Sequence, residues 1–226
     1  MNTLVRDSIT RTNITAAIQL LTHSPILPMY VQHLESVLQT EREKRERFYE
    51  EMSEDQKVEF INGEIMVHSP VRLRHNIVSQ NLLVRLSTFV RRGNLGYVGY
   101  EKLLIALTRN DYEPDIVYFG PEQAQTFTLD QMKFPAPDFI VEVLSPSTEA
   151  NDRGVKFMDY ADHGVVEYWI IDPYQKTVEQ YVLEGQAYNL QMKSQTGVLQ
   201  SVAVPGFEIP VHTIFEGTEK LSSGGV

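Results

Sequence analysis

The stretch PAPDFIVEVLSPSTEANDRGVKFMDYADHGVVEYWIID, residues 135 to 172, decides the fold. Its opening run from Asp138 to Leu144 lies between Pro137 and Pro146 and is rich in β-branched and aromatic side chains. Such a run reads as a strand buried on both faces. Alternation puts Asp138, Ile140, Glu142 and Leu144 on one of those faces. A carboxylate in that position cannot stay ionised alone, because desolvating an uncompensated charge costs several kcal/mol. Glu142 therefore calls for a cationic partner.

Two partners are available. Lys156 lies in segment 149 to 163, which has Ser147 and Thr148 as N-caps, Glu149 and Asp152 in its first turn and Gly164 as a stop, all marks of a helix. Packed back on the sheet, that helix would carry Lys156 to the strand end. The other partner is a divalent metal, which needs a second oxygen ligand from a neighbouring strand. Asp115 meets that need, since it opens a second apolar run, Pro114 to Phe119, closed by Gly120 and Pro121. A third run, Val166 to Ile171, follows the helix and ends at Asp172 and Pro173. Strand, helix, strand is the βαβ pattern and implies parallel neighbours.

At 226 residues the chain reads as one domain with an N-terminal extension: an arm and helix over 1 to 46, a core domain over 47 to 215 and a flexible tail over 216 to 226. With 42% hydrophobic and 22% charged residues the composition is that of an ordinary soluble protein. There is no cysteine, which excludes disulfides and zinc thiolate sites. The first thirty residues hold Arg6, Asp7 and Arg11 and no apolar run of signal-peptide or membrane-spanning length, so a cytoplasmic location without membrane attachment is expected. A net charge of −10 argues against broad electrostatic capture of nucleic acid, although a local basic strip would suffice.

Residues 1 to 24 read as a loosely held arm. From Pro28, the residues Tyr30, Leu34, Val37 and Leu38 recur at helical spacing, and the helix continues through the charged run to Arg47 as a solvated face. Asn62 and Gly63 between Lys57–Ile61 and Glu64–His68 mark a type I′ hairpin. Ser69 and Pro70 open a helix ending near Gly93, with His75, Val78, Leu82, Leu86 and Phe89 along one stripe. A strand over Tyr97 to Leu107, a turn over Thr108 to Glu113, a loop over Glu122 to Pro135 and a late hairpin over Thr177 to Met192 complete the pattern. The tail from Ser201 adds at most one short strand. One mixed sheet between helices is expected, an α/β architecture.

Two carboxylates on adjacent strands with a lysine on the following helix suit metal-assisted phosphodiester hydrolysis. PDIVYF at 114 to 119, PDFIVEVLSPST at 137 to 148, DRGVKFMDYADHGVVEYWIID at 152 to 172, INGEI at 61 to 65 and His75 together resemble the bacterial putative restriction endonuclease family of the PD-(D/E)xK nuclease superfamily. The resemblance covers roughly residues 45 to 215. It implies a restriction-endonuclease-like core, Asp115 and Glu142 as metal ligands, and Mg²⁺, alternatively Mn²⁺, as the ion. The superfamily's lysine usually stands two residues after the acid, where this chain has Leu144, so Lys156 on the helix takes that role. Glu64 resembles a further acid that ligates a second metal or holds the water, against the plainer reading of a hairpin carboxylate, and His75 would line the same cleft. Asp138, also preceded by proline, rivals Asp115 as first ligand. Tyr168 and Trp169 read as core packing, and Asp152 as a helix cap or an i,i+4 partner of Lys156.

The implied activity is a Mg²⁺-dependent endonuclease in which metal-activated water attacks the phosphodiester of DNA. Arg72, Arg74, Arg91 and Arg92 are candidate phosphate contacts, and a homodimer is expected where both strands are cut. The alternative is a non-catalytic DNA-binding or assembly module that keeps the nuclease fold, with Glu142 and Lys156 as a plain buried ion pair. Leu144 and a pI near 5.1 motivate that alternative.

Overall fold

The structure, a computed structural model, describes residues 14–53 and 55–219. The remainder of the expected arm and the end of the expected tail lie outside the described residues. Residues 14–22 are helical (α1), where a loose arm is expected. Helix α2 (Leu27–Glu51) runs unbroken across residue 46, the expected end of the extension, and buries Phe48 against the body. Its earlier apolar residues, Tyr30, Leu34, Val37 and Leu38 among them, stay exposed.

Strands β1 (Val58–Ile61) and β2 (Glu64–Val67) form the expected hairpin, with Asn62 at φ 51° and Gly63 at φ 82°. Both central residues of a type I′ turn need positive φ, which is why this pair is so legible. Helix α3 (Leu73–Gly93) starts later than expected, because Arg72 is still extended at ψ 150°. Asn94, in the left-handed region at φ 50°, stops it.

The single strand expected over 97 to 107 is two: β3 (Tyr97–Tyr100) and β4 (Leu104–Ala106), which belong to different sheets. Glu101 and Lys102 both take positive φ between them, and an extended strand cannot continue through such residues. The expected turn at 108 to 113 contains β5 (Asp111–Tyr112), followed by β6 (Ile116–Phe119). The expected loop over 122 to 135 holds a helical turn, α4 (Pro121–Ala124), and β7 (Lys133–Phe134).

The decisive stretch forms β8 (Phe139–Val143), α5 (Glu149–Asp152), α6 (Val155–Asp162) and β9 (Glu167–Asp172). β8 and β9 are parallel neighbours, as the βαβ pattern predicts. The crossover helix breaks at Gly154, where an added Cβ would stand 2.6 Å from the carbonyl oxygen of Ala150. β10 (Thr177–Glu184) and β11 (Ala187–Ser194) extend one edge as the expected hairpin. Besides a small two-stranded sheet in the C-terminal segment, the described residues form two large sheets instead of one: a six-stranded mixed sheet in the order β11-β10-β9-β8-β6-β3, and a second in the order β2-β1-β5-β4-β7.

Alternation along β8 divides the core as the sequence predicts. Phe139, Val141 and Val143 pack with Val78, Leu82, Leu86 and Val90 of α3. Ile140 and Leu144 pack with Tyr112, Phe157 and Tyr160 on the other side. The C-terminal segment contributes more than one strand. β12 (Val198–Gln200), β13 (Glu208–Pro210) and α7 (Val211–Ile214) bury Leu199, Val204, Phe207, Ile209, Val211 and Ile214 in the α3-side core. Glu167, fully buried, anchors this segment by accepting from Ser201 Oγ and the N–H groups of Val202 and Ala203. Among the described residues no helix is long and apolar enough to cross a membrane.

Candidate active site

The ladder between β6 and β8 last pairs Ile116 with Val141. One residue beyond it, the Asp115 side chain takes over: its Oδ2 accepts the N–H of Val143 at 2.8 Å. Oδ1 accepts from Lys57 Nζ at 3.0 Å, and Oδ2 lies 3.1 Å from His75 Nε2. Lys57 immediately precedes β1, and His75 stands in the first turn of α3, so three separate elements converge on this carboxylate. Burial alone would push Asp115 up, but the Lys57 charge and the bonds from His75 and Val143 hold it well below the usual carboxylate range. Lys57 is held charged against its own burial, chiefly by Asp115 and then by Glu142.

Glu142 projects from β8 toward α6. Its Oε1 accepts from Lys156 Nζ at 3.0 Å and from the Tyr160 hydroxyl at 3.2 Å. The same ammonium lies 2.9 Å from Glu59 Oε1 and 3.1 Å from Asp152 Oδ1, so it stands among three buried carboxylates. Burial works against the charge on Lys156, yet Glu142, Glu59 and Asp152 raise its pKa well above the ordinary value. The three carboxylates therefore favour the protonated form of this lysine. Burial, with the charges of Asp152 and Asp115 and against that of Lys156, pushes Glu142 up to about 8. On Glu59, burial is outweighed by Lys156 and His68, which bring it down to about 2.

Asp115, Glu142, Lys156 and His75 are thus brought together. Glu64 is not. It sits at the turn end of the hairpin with its side chain 73% exposed and pairs with Lys44 at 2.9 Å, which is the plain hairpin carboxylate. The third acid at this site is Glu59, on β1. The logic that singles out Glu142, a carboxylate inside an apolar strand run, applies equally to Glu59 in Val58–Ile61 and would have found it. Lys57 carried no such signal. Asp138 lies at the opposite end of β8 from Glu142 and accepts the N–H of Gly120 at 2.7 Å, a structural bond. Asp152 is the i,i+4 partner of Lys156, and Tyr168 and Trp169 are core residues. The four arginines do not form one cluster: Arg72 and Arg74 stand at the His75 end of α3, and Arg91 and Arg92 in its last turn, about 30 Å away for a helix of this length.

The donor chemistry suits a hard divalent cation. Four buried carboxylates, Glu59, Asp115, Glu142 and Asp152, face the ammonium groups of Lys57 and Lys156. Glu59 Oε2 and Asp152 Oδ1 lack a well-directed hydrogen bond and are met only by ion pairs, with His68 Nε2 at 2.9 Å and Lys156 Nζ at 3.1 Å. Among the described residues no three His, Asp or Glu side chains form a ready metal cage. Mg²⁺ does not require one, since it commonly takes one or two protein carboxylates and fills its remaining positions with water and substrate phosphate. Asp115 and Glu142 fit that pattern.

These shifts set a pH dependence for the metal-free chain. A Glu142 pKa raised from 4.5 to about 8 contributes stability that is present below pH 4.5 and lost as pH rises through about 8. Asp115 and Glu59, lowered, contribute stability present above their ordinary values and lost as pH falls. The unfolding temperature is therefore expected to peak at about pH 5 and to decline toward about pH 8. A flat profile over that interval, read by thermal melts of the metal-free chain, would contradict these charge states.

The sequence profile of the Uma2 family, described as "Putative restriction endonuclease", matches residues 43–212. An uncharacterized protein of Synechocystis sp., slr1290, is 29% identical over 154 residues, covering 67% of this chain and 74% of its own. A second from the same organism, sll1609, is 32% identical over 133 residues, covering 58% and 74%. Among solved structures, that of a putative nuclease belonging to DUF820 from Anabaena variabilis superimposes with a TM-score of 0.65 at 18% identity, over 74% of this chain and 94% of that one. That likeness shows that the two chains share a mixed α/β fold, as the sequence leads one to expect.

Proposed function

The chain belongs to the Uma2 family, described as putative restriction endonucleases, and from that premise we propose that it is a metal-dependent endonuclease hydrolysing DNA phosphodiester bonds. The observation that carries the reading is the convergence of Asp115 and Glu142, from adjacent strands, beside a lysine held protonated. Asp115 and Glu142 would hold Mg²⁺, or Mn²⁺, which supplies Lewis-acid polarisation of a phosphoryl oxygen and a water of lowered pKa. His75 and Lys57 fix the Asp115 carboxylate. Lys156 offsets the negative charge that develops on the phosphoryl group. Glu59 and Asp152 hold the same ammonium at 2.9 and 3.1 Å, so its position would not depend on Glu142 alone if that carboxylate held a metal. Cutting both strands takes two such sites, in a homodimer or in two encounters, and the sedimentation mass of the full chain decides between them.

Phosphate contact is assigned to Arg72 and Arg74 alone, because only they share the His75 end of α3. Each duplex phosphate neutralised contributes a salt slope of about 0.9, so Arg72→Ala with Arg74→Ala is expected to flatten log K against log salt by up to about 1.8. Arg91→Ala with Arg92→Ala is expected to leave the slope unchanged. Equal slopes for the two double variants would remove this assignment.

One observation favours a second reading, a binding or assembly module. Lys156 is saturated by three carboxylates, and Leu144, where the superfamily's lysine usually stands, is buried in the core. Calorimetry separates the two readings: an active centre binds Mg²⁺ in a manner that Glu142→Gln abolishes, whereas a module binds none.

A further inference from the structure

Beside the acid cluster, the turn between β9 and β10 presents Tyr174. Asp172 Oδ1 accepts the N–H groups of Tyr174 at 2.7 Å and Gln175 at 2.9 Å, so the turn is locked by its own side chain. Tyr174 as a residue is 42% exposed. Two arginines converge on it. Arg72 Nη1 donates to the Tyr174 hydroxyl at 3.2 Å, and the Arg74 guanidinium lies 4.8 Å from the ring centroid in cation–π geometry. Arg74 immediately precedes His75, which contacts Asp115.

The charge balance here is unusual for so acidic a chain. Among the described residues, no carboxylate pairs with Arg72 or Arg74. The turn's own cation, Lys176, is paired with Glu219. One guanidinium at the hydroxyl edge of the ring and one over a ring face, both exposed, leave places for phosphates around a flat apolar surface, while Glu216 and Glu219, which line the same cavity, are paired with Arg85 and Lys176. A stacked base needs such a surface, and its flanking phosphates need such cations. A base inside a duplex cannot offer its face to the ring, whereas an unpaired one can.

We propose that Arg72, Tyr174 and Arg74 form a subsite for an unpaired nucleotide, whose base stacks on Tyr174 while its phosphates meet the two arginines. The nature of the ligand rests on the nuclease reading above, and the subsite adds to it a preference for single-stranded segments next to the cleavage centre. The subsite is independent of catalysis, because the three residues lie outside the carboxylate cluster.

The test is fluorescence anisotropy in EDTA, with the full chain, a labelled single-stranded deoxyoligonucleotide and the duplex of the same length. Tyr174→Ala is expected to weaken single-strand binding roughly 5- to 150-fold, the range for loss of one aromatic stacking contact, and to weaken duplex binding, which uses the two arginines but not the ring face, distinctly less. Tyr174→Phe keeps the ring and is expected to bind the single strand as wild type does. Three results overturn the proposal: no effect of Tyr174→Ala, an equal loss on both substrates, or a Tyr174→Phe variant as weak as Tyr174→Ala. Since EDTA removes cleavage, single-strand binding lost in Tyr174→Ala by a chain that cuts nothing in Mg²⁺ upholds the subsite and overturns only the nuclease. Cleavage with no Tyr174 effect does the reverse.

Discussion

Lys156→Ala is expected to cost about 3–5 kcal/mol of folding free energy at neutral pH, the range for breaking a buried ion pair from one side. The lysine is the common counter-ion of Glu59, Glu142 and Asp152, at 2.9, 3.0 and 3.1 Å, and it is 2% exposed. Without it, Glu59 loses the charge that chiefly keeps it ionised, and all three carboxyls must take up protons or remain buried and uncompensated. Glu59 then rises above its unfolded value, and Glu142 and Asp152, which burial already raises, rise further, so the deficit is largest at high pH and shrinks as pH falls toward the ordinary carboxylate range. Urea unfolding of Lys156→Ala and Lys156→Met at several pH values measures this, with methionine separating lost volume from lost charge. A loss below about 1 kcal/mol for both variants, the scale of an exposed pair, would contradict the placement of this ammonium.

The second large effect is on cleavage. Glu142→Gln keeps the side-chain shape and its place beside Tyr160 but removes the charge that would hold the cation. Cleavage is expected to fall by at least about 10²–10³, the scale for losing one preorganised electrostatic contribution to a transition state. The same variant should fold at least as well as wild type at about pH 8, because position 142 then carries no buried carboxyl to ionise. Glu64→Gln is the companion measurement. Its side chain is exposed and paired with Lys44, so cleavage by that variant is expected at the wild-type rate. A Glu64→Gln variant as impaired as Glu142→Gln would return Glu64 to the centre.

The parts of the fold legible in the sequence were those set by local rules. The β8–α6–β9 unit follows from proline-bounded apolar runs and a capped helix, and the β1–β2 hairpin from the two residues that tolerate positive φ. Strand β4 was hidden because Glu101 and Lys102 take positive φ without being glycine or asparagine. The two-residue strands β5 and β7 carry too few positions for any period, and the second sheet is built around them. The C-terminal segment shows no period because its buried residues are scattered, and its anchor, Glu167, is a buried carboxylate satisfied from thirty-odd residues away.

The candidate site divides in the same way. Glu142, Asp115 and Lys156 were legible because a charge inside an apolar strand requires a partner. His75 was legible as the first residue of a buried stripe. Glu64 was misplaced because resemblance to a motif carries no direction, and the side chain after a type I′ turn faces solvent here. Lys57 and the separation of Arg72 and Arg74 from Arg91 and Arg92 depend on how the second sheet and α3 lie against β6 and β8. No pattern along the chain encodes those contacts.

The most direct test of the central claim is cleavage of supercoiled plasmid with Mg²⁺ and with Mn²⁺, comparing wild type and Glu142→Gln purified identically. Metal-dependent nicking by wild type that is lost in Glu142→Gln is the predicted result. Nicking by Glu142→Gln at the wild-type rate would contradict the Asp115–Glu142 centre, and a wild type that neither nicks nor binds Mg²⁺ would contradict the nuclease itself.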